Sequence, residues 1–268
     1  MFLVFMVAGM SSRYGGNLKQ LAQVGINGET LIEVSVSQAL SAPFKKLIFI
    51  TNELTEHKFI DIFGHEYKGI PVMYVRQEWD QKTRDRPWGT TSAICSLKGK
   101  VNDPFILVNS DDLYGKETFQ KGYELMVSTK NNIIGGCLLE KTMPADDKTI
   151  VNRGVIDVDE EKGLVKSIEE RLKISAKQNP ELLNKLASVN FIGLQPNTID
   201  FLDAILDDFM LEYKGDRKIE ALLPTDLNYL IQNKLISMHY FKIENSIYGI
   251  TYPGDEKHMK LVISLYNH

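Results

Sequence analysis

The stretch V-F-M-V-A-G-M-S-S-R-Y-G-G-N-L-K, Val4 to Lys19, sets how the rest of the chain is read. An apolar run, Phe2 to Val7, has the composition of a buried strand and breaks into the small residues Ala8, Gly9, Ser11 and Ser12. Small residues let backbone N–H groups come close to an anion, and two cations, Arg13 and Lys19, follow to neutralise charge that amides cannot. The physical reading is a phosphate-binding loop after the first strand. The alternative is a Gly/Ser turn with two solvated cations, because short motifs match by chance.

Working outward, apolar runs alternate with helix-like ones. Thr30 to Leu40 carries apolar residues at Leu31, Val34 and Ala39 and reads as a helix packed on one face. Lys46 to Thr51 is a continuous apolar run, Leu54 to Phe63 is helical, and Ile70 to Val75 is another strand. Strand, helix, strand, helix implies a parallel sheet with crossover helices. Glu78 to Pro87 is polar and aperiodic, a long loop, and Trp88 to Leu97 is a turn into a short helix that Thr90 would cap. Pro104 to Val108 reads as a central strand ending in Asn109-Ser110-Asp111-Asp112.

Further on, Lys116 to Ser128 is helical and Asn132 to Leu139 is a strand. Thr149 to Val158 and Leu164 to Glu169 form a strand pair, an antiparallel section within the sheet, followed by a polar, peripheral stretch from Ile174 to Leu186. Ser188 to Gln195 is a strand and Asn197 to Met210 an amphipathic helix. Pro224-Thr225-Asp226 caps a helix from Leu227, Ile236 to Tyr252 is hairpin-like, and Asp255 to Tyr266 is a closing helix. No linker or repeat interrupts the pattern, so residues 1–268 are expected to form a single domain.

Composition bounds the function. The 268 residues are 43% hydrophobic and 25% charged, with mean hydropathy −0.17, an ordinary globular balance. A net charge of −4 argues against a global pull toward nucleic acid. Cys95 and Cys137 sit in apolar surroundings without metal-ligand spacing and read as buried thiols. No apolar run reaches a membrane-spanning length, so the expectation is a cytoplasmic protein with neither membrane nor nucleic-acid partners.

Two constellations carry chemistry. Ligands bind at the carboxyl ends of strands in open α/β sheets, which is where the loop and the acids Asp111 and Asp112 fall. Magnesium takes one or two carboxylates plus substrate phosphates, so Asp111, with or without Asp112, suits such an ion; an Asx turn or helix cap is the plainer alternative. Pro87-Trp88-Gly89-Thr90 offers a glycine against which a flat ring can lie, and Glu169-Glu170-Arg171 and Glu220 offer groups for sugar hydroxyls.

Together these segments resemble the sugar nucleotidyltransferases, the pyrophosphorylases that make nucleotide sugars. A-G-M-S-S-R-Y-G-G-N-L-K-Q-L is similar to that family's N-terminal motif, P-W-G-T-T-S-A to its base-binding segment, and V-N-S-D-D-L-Y-G to its strand-end aspartate segment. S-I-E-E-R-L, V-N-F-I-G-L-Q-P and L-P-T-D-L-N are similar to its later sugar-side segments. The resemblance implies a Rossmann-like, GT-A-like α/β fold: a mostly parallel mixed sheet flanked by helices, with a small antiparallel section. It implies nucleotide contacts from Ala8, Gly9, Ser11, Ser12, Gln77, Gly89 and Thr90. Charge neutralisation would come from Arg13 and Lys19, a Mg²⁺ ligand from Asp111, and sugar contacts from Glu170 and Asn190.

The implied substrates are a nucleoside triphosphate, with UTP or dTTP favoured by a Gln77 partner, and a sugar 1-phosphate, in a chain that can form homo-oligomers. Three departures stand out. The polar insert Glu78 to Arg86 lengthens the path from Gln77 to Gly89, Arg171 stands where the family commonly has Lys, and Ser246 to Tyr252 lacks the second metal-binding acid. Asp255 is the substitute candidate for that acid. Two other readings remain: a glycosyltransferase holding a nucleotide-sugar diphosphate, or a nucleotide-binding regulatory module without turnover.

Overall fold

The computed structural model describes residues 1–9, 18–143, 150–250 and 254–266. Its first half alternates strands and helices: β1 (Phe2–Met6), α1 (Leu31–Ala39), β2 (Leu47–Thr51), α2 (Glu56–Phe63), β3 (Glu66–Tyr67), β4 (Ile70–Arg76), α3 (Thr90–Cys95) and β5 (Phe105–Asn109). β4, β2, β1 and β5 lie side by side and all parallel. The reason is in their sequences. FLVFM, LIFIT and FILV are unbroken apolar runs, and such strands are satisfied only where helices cover both faces.

Those helices form two layers. α1 and α2 bury Ile32, Val36, Phe59 and Phe63 against Leu3, Phe5 and Phe49 on one face. On the other face, Val4, Ile48 and Leu107 meet Ile94 of α3 and the later helices. α1 starts where a capping box forms: Thr30 N donates to Glu33 Oε2 at 2.8 Å while Thr30 Oγ1 accepts from Glu33 N at 3.4 Å.

The second half adds β6 (Asp112–Leu113), α4 (Lys116–Thr129), β7 (Asn132–Leu138), β8 (Val151–Asp159), β9 (Leu164–Ile174), β10 (Leu186–Leu194), α5 (Thr198–Glu212), α6 (Leu223–Gln232), β11 (Met238–Lys242), β12 (Tyr248–Gly249) and α7 (Asp255–Tyr266). β10 runs antiparallel between β5 and β7, β11 returns parallel to β7, and the hairpin β8–β9 closes the far edge of a ten-stranded mixed sheet. The architecture is an α/β fold of Rossmann-like kind, with the mixed sheet between helices.

The structure departs from the expectations in four places. β9 runs past its expected end at Glu169 to Ile174, which is buried with Leu139 and Ala187, so the stretch expected to be peripheral from Ile174 opens on a core residue. α6 begins at Leu223, with Pro224 in its first turn, so Asp226 is a helical residue and caps nothing. The segment from Ile236 is no hairpin: β11 joins the main sheet, while β12 pairs with β6 in a separate two-stranded sheet. The short β3 escaped a reading based on apolar runs because Glu66 and Tyr67 are not an apolar pair; it pairs with the start of β4 across a turn containing Gly69 at φ +78°.

Candidate active site

The carboxyl ends of β1 and β5 lie side by side, since Met6 is registered opposite Asn109. Ser110 Oγ donates to Met6 O at 2.6 Å and ties the two ends together. From the β2 end, Asn52 Nδ2 donates to Ala8 O at 2.9 Å, and Gln20 Nε2 donates to Val7 O at 3.3 Å. Val7, Ala8 and the exposed Gly9 are therefore launched from a fixed point. Ser11, Ser12 and Arg13 lie outside the described residues. Lys19 opens a short 3₁₀ turn, and its ammonium is ion-paired with Asp111 Oδ2. The loop motif and the strand-end acid are thus brought into direct contact.

Asp112 is turned the other way. Asn109 Nδ2 donates to its Oδ2 at 2.8 Å, and Asn190 Nδ2 donates to Asn109 Oδ1 at 3.3 Å. Asn190 sits at a bulge in β10 with φ +58°, a left-handed conformation that asparagine tolerates. Tyr114, fully buried, donates its hydroxyl to Val189 O at 2.8 Å and accepts from Asn109 N at 3.2 Å, so it props the acid-bearing turn against β10. Burial pushes the Asp112 carboxyl well above the ordinary aspartate range, the neighbouring Asp111 adds to the rise, and the Asn109 bond and Lys19 draw it back.

The late segment packs directly onto these acids. Gly249 is registered opposite Asp112, and Ile250 N donates to Asp111 O at 3.2 Å. A side chain at 249 would run into the Asp112 carboxylate, so glycine there leaves that carboxylate in place. Asp255 lies in the first turn of α7. Among the described residues, no group of three or more His, Cys, Asp or Glu side chains is placed to hold a metal. The donors present match an ion that takes one half-buried carboxylate, Asp111, and fills its shell from phosphates and water; they do not build an all-protein cage.

The residues expected at the base form a second cluster. Gln77 directly follows β4 and is buried, and its Nε2 donates to Gly89 O at 2.9 Å and Ser92 Oγ at 3.2 Å. Gly89 has φ +100°, and a Cβ there would stand 2.8 Å from Ala221 N. Its glycine is therefore demanded first by the backbone of residues 220–221. Thr90 does not cap its own helix: its Oγ1 accepts from Leu223 N at 2.9 Å and caps α6 instead. Thr91 Oγ1 donates to the buried carboxylate of Asp226, so α3 and α6 are joined polar group to polar group.

The insert Glu78 to Arg86 is anchored by a residue that the sequence did not single out. Arg84 is 2% exposed and stacks its guanidinium 3.5 Å from the Trp88 ring centre. It donates to Arg86 O, to Asp216 O at 2.7 Å and to Ile219 O. Nothing in an aperiodic polar run distinguishes this arginine from solvated ones. Glu170, expected to meet the sugar, faces Gly154 across the β8–β9 pair, and its carboxyl is raised by burial. Arg171 is exposed and paired with Glu169, and Glu220 pairs with Arg86 at 3.1 Å. These two pairs leave Arg171 and Glu220 engaged outside the cluster around Asp111.

A parallel half-sheet with a small-residue loop after its first strand, facing acids after a neighbouring strand, defines a nucleotide-binding α/β protein. The chain belongs to the nucleotidyl transferase family, whose model matches residues 17–181. It is a nucleotidyltransferase by that membership. Solved structures share the fold over nearly their whole length. One is a UDP-glucose pyrophosphorylase complexed with UDP-glucose (19% identity, 99% of this chain and 98% of that chain covered, TM-score 0.68). Another is the inositol-1-phosphate CTP transferase from T. maritima (12%, 98% and 94%, 0.67). A third is a UTP-bound UGPase from Acinetobacter baumannii (16%, 99% and 93%, 0.64). No curated protein matches the sequence.

Proposed function

We propose that this protein is a Mg²⁺-dependent enzyme that joins a nucleoside triphosphate to a sugar 1-phosphate, or a similar phosphate, releasing pyrophosphate and forming a nucleotide sugar. The observation that carries the reading is the contact between Lys19 and Asp111, which unites the loop after β1 with the acid after β5. An acid with a cation beside it, at the mouth of a small-residue loop, is what a bound triphosphate needs. The acceptor phosphate is already ionised, so no side-chain nucleophile or general base is required, and positioning and charge neutralisation carry the rate.

Backbone amides from Ala8, Gly9, Ser11 and Ser12 would hold the phosphates, with Arg13 and Lys19 offsetting their charge. Lys19 is placed to exchange its carboxylate partner for phosphate oxygens. Asp111, with Asp255 as a second candidate, would hold Mg²⁺, which when bound offsets the charge on the α-phosphate and the leaving pyrophosphate. Glu170 and Asn190 would contact the sugar. At the base, Gln77 has committed its amide nitrogen to Gly89 and Ser92, leaving its carbonyl oxygen as an acceptor. That suits the ring N–H of uracil or thymine and disfavours cytosine and adenine, whose ring nitrogen at that edge accepts. Gly89 and Thr90 would line the base beside it.

The same reading treats residues 1–268 as one domain working in the cytoplasm, in line with Cys95 and Cys137 being buried and unpaired. Among the described residues, no helix is long and apolar enough to cross a membrane. Incubating the protein with Mg²⁺, each nucleoside triphosphate and a panel of sugar phosphates tests the proposal. Pyrophosphate release with UTP or dTTP is expected. Sugar transfer from a nucleotide sugar would instead make it a glycosyltransferase, and binding without product would make it a regulatory module.

A further inference from the structure

β8 carries an arginine, Arg153, that no motif singled out. It is registered opposite Arg171 on β9, and its neighbour Gly154 is opposite Glu170. The two arginines are used differently. Arg171 is exposed and spends its guanidinium on Glu169. Arg153 is half-buried: among the described residues its terminal nitrogens reach main-chain carbonyls, Asn152 O at 3.0 Å and Thr142 O at 3.4 Å. Its Nε is buried and has no partner among the described residues. A buried N–H without an acceptor is costly and rare, and a guanidinium fork matches the oxygens of a phosphate or a carboxylate two at a time.

The position fits an anion as well as the chemistry does. β8 pairs with β10 as well as β9, with Val155 opposite Ala187, three residues before Asn190 at the β10 bulge. Asn190 reaches Asn109, and Asn109 holds Asp112, so Arg153 lies on a strand set between the acid-bearing turn and Glu170. Gly154 leaves the backbone between them without a side chain.

We propose that Arg153 binds the phosphate group of the acceptor, the sugar 1-phosphate or like phosphomonoester, between the Asp111-Asp112 turn and Glu170. This rests on the nucleotidyltransferase reading above. In that reaction a phosphomonoester dianion must approach an already anionic triphosphate, and a fixed guanidinium offsets the repulsion. Arg171, the position that resemblance to the sugar nucleotidyltransferases suggests for such a contact, is left as a surface ion pair.

The test compares wild type, R153Q, R153K and R171Q, using the acceptor that wild type turns over fastest. R153Q is expected to raise the acceptor KM at least tenfold with the triphosphate KM within twofold, and R153K to recover part of the loss. R171Q should stay within twofold on both. An R153Q acceptor KM within twofold of wild type, a parallel rise in both constants, or a larger loss in R171Q would overturn the assignment. Should R153Q not fold, a severalfold acceptor-specific rise in R153K supports it and no rise overturns it. A wild type that turns over nothing defeats the reaction reading. Equilibrium binding of glucose 1-phosphate then decides for Arg153: binding lost in R153Q supports the site, and equal binding, or none by wild type, overturns it.

Discussion

Gly89, proposed to line the base, is fixed first by packing. Its φ of +100° and the approach of the Ala221 backbone leave no room for a Cβ. Gly89→Ala is expected to cost about 2–4 kcal/mol in chemical denaturation, as a strained, overpacked backbone position does; a loss under about 1 kcal/mol would mean that the 220–221 segment yields easily. Asp226 makes a second case. Burial raises its carboxyl above the ordinary aspartate value, and the hydrogen bond from Thr91 draws it back. The folded chain then binds more protons than the unfolded chain in that window, so this group lowers stability as pH rises through it. Asp226→Asn keeps an acceptor for Thr91 and removes the effect. The variant should therefore gain on wild type between pH 4 and pH 7 in denaturation midpoints, and a constant or shrinking difference would contradict the sign. Neither role is visible in the residues alone: glycine and aspartate near a turn read equally well as loop chemistry, and the partner of Thr91 lies 135 residues further on.

Among the elements, the insert between β4 and α3 is held by packing that its composition hides. Arg84 ties three main-chain carbonyls and the Trp88 ring into one unit. Arg84→Met would keep the stem and leave those carbonyls unpaired. The expected result is a loss of about 3 kcal/mol, read by denaturation, with the triphosphate KM rising because Gly89 and Thr90 follow directly. Unchanged stability would show that the insert is only draped on the surface. The strands β1, β2 and β5 were legible because a strand covered on both faces must be apolar throughout. The Ile236 to Tyr252 segment reads as a hairpin from its sequence because its two strands have ordinary strand composition, and nothing local says that β11 and β12 join different sheets. Arg153 is hidden for a similar reason: a lone cation in an aperiodic strand gives no sign that its Nε will be enclosed until β8 and β9 are paired.

At the scale of the molecule, the order of segments carried the functional reading. The parallel sheet sets the β1 and β5 ends side by side, so a cation after the first and an acid after the second must meet, as Lys19 and Asp111 do. The family match confirms the class, and the fold it shares with sugar-nucleotide enzymes spans nearly the whole chain. What the sequence could not reveal is which polar groups would be spent on holding the site: Asn109, Tyr114 and Gln77 all act through contacts made by the assembled sheet. The most direct measurement is pyrophosphate release from a nucleoside triphosphate and sugar phosphate by wild type and Asp111→Ala, with melting temperature recorded for both. The account predicts stoichiometric pyrophosphate and nucleotide sugar from wild type, and a rate at least about a hundredfold lower from a variant that melts within a few degrees of it. An Asp111→Ala enzyme that keeps a rate within tenfold of wild type would contradict it.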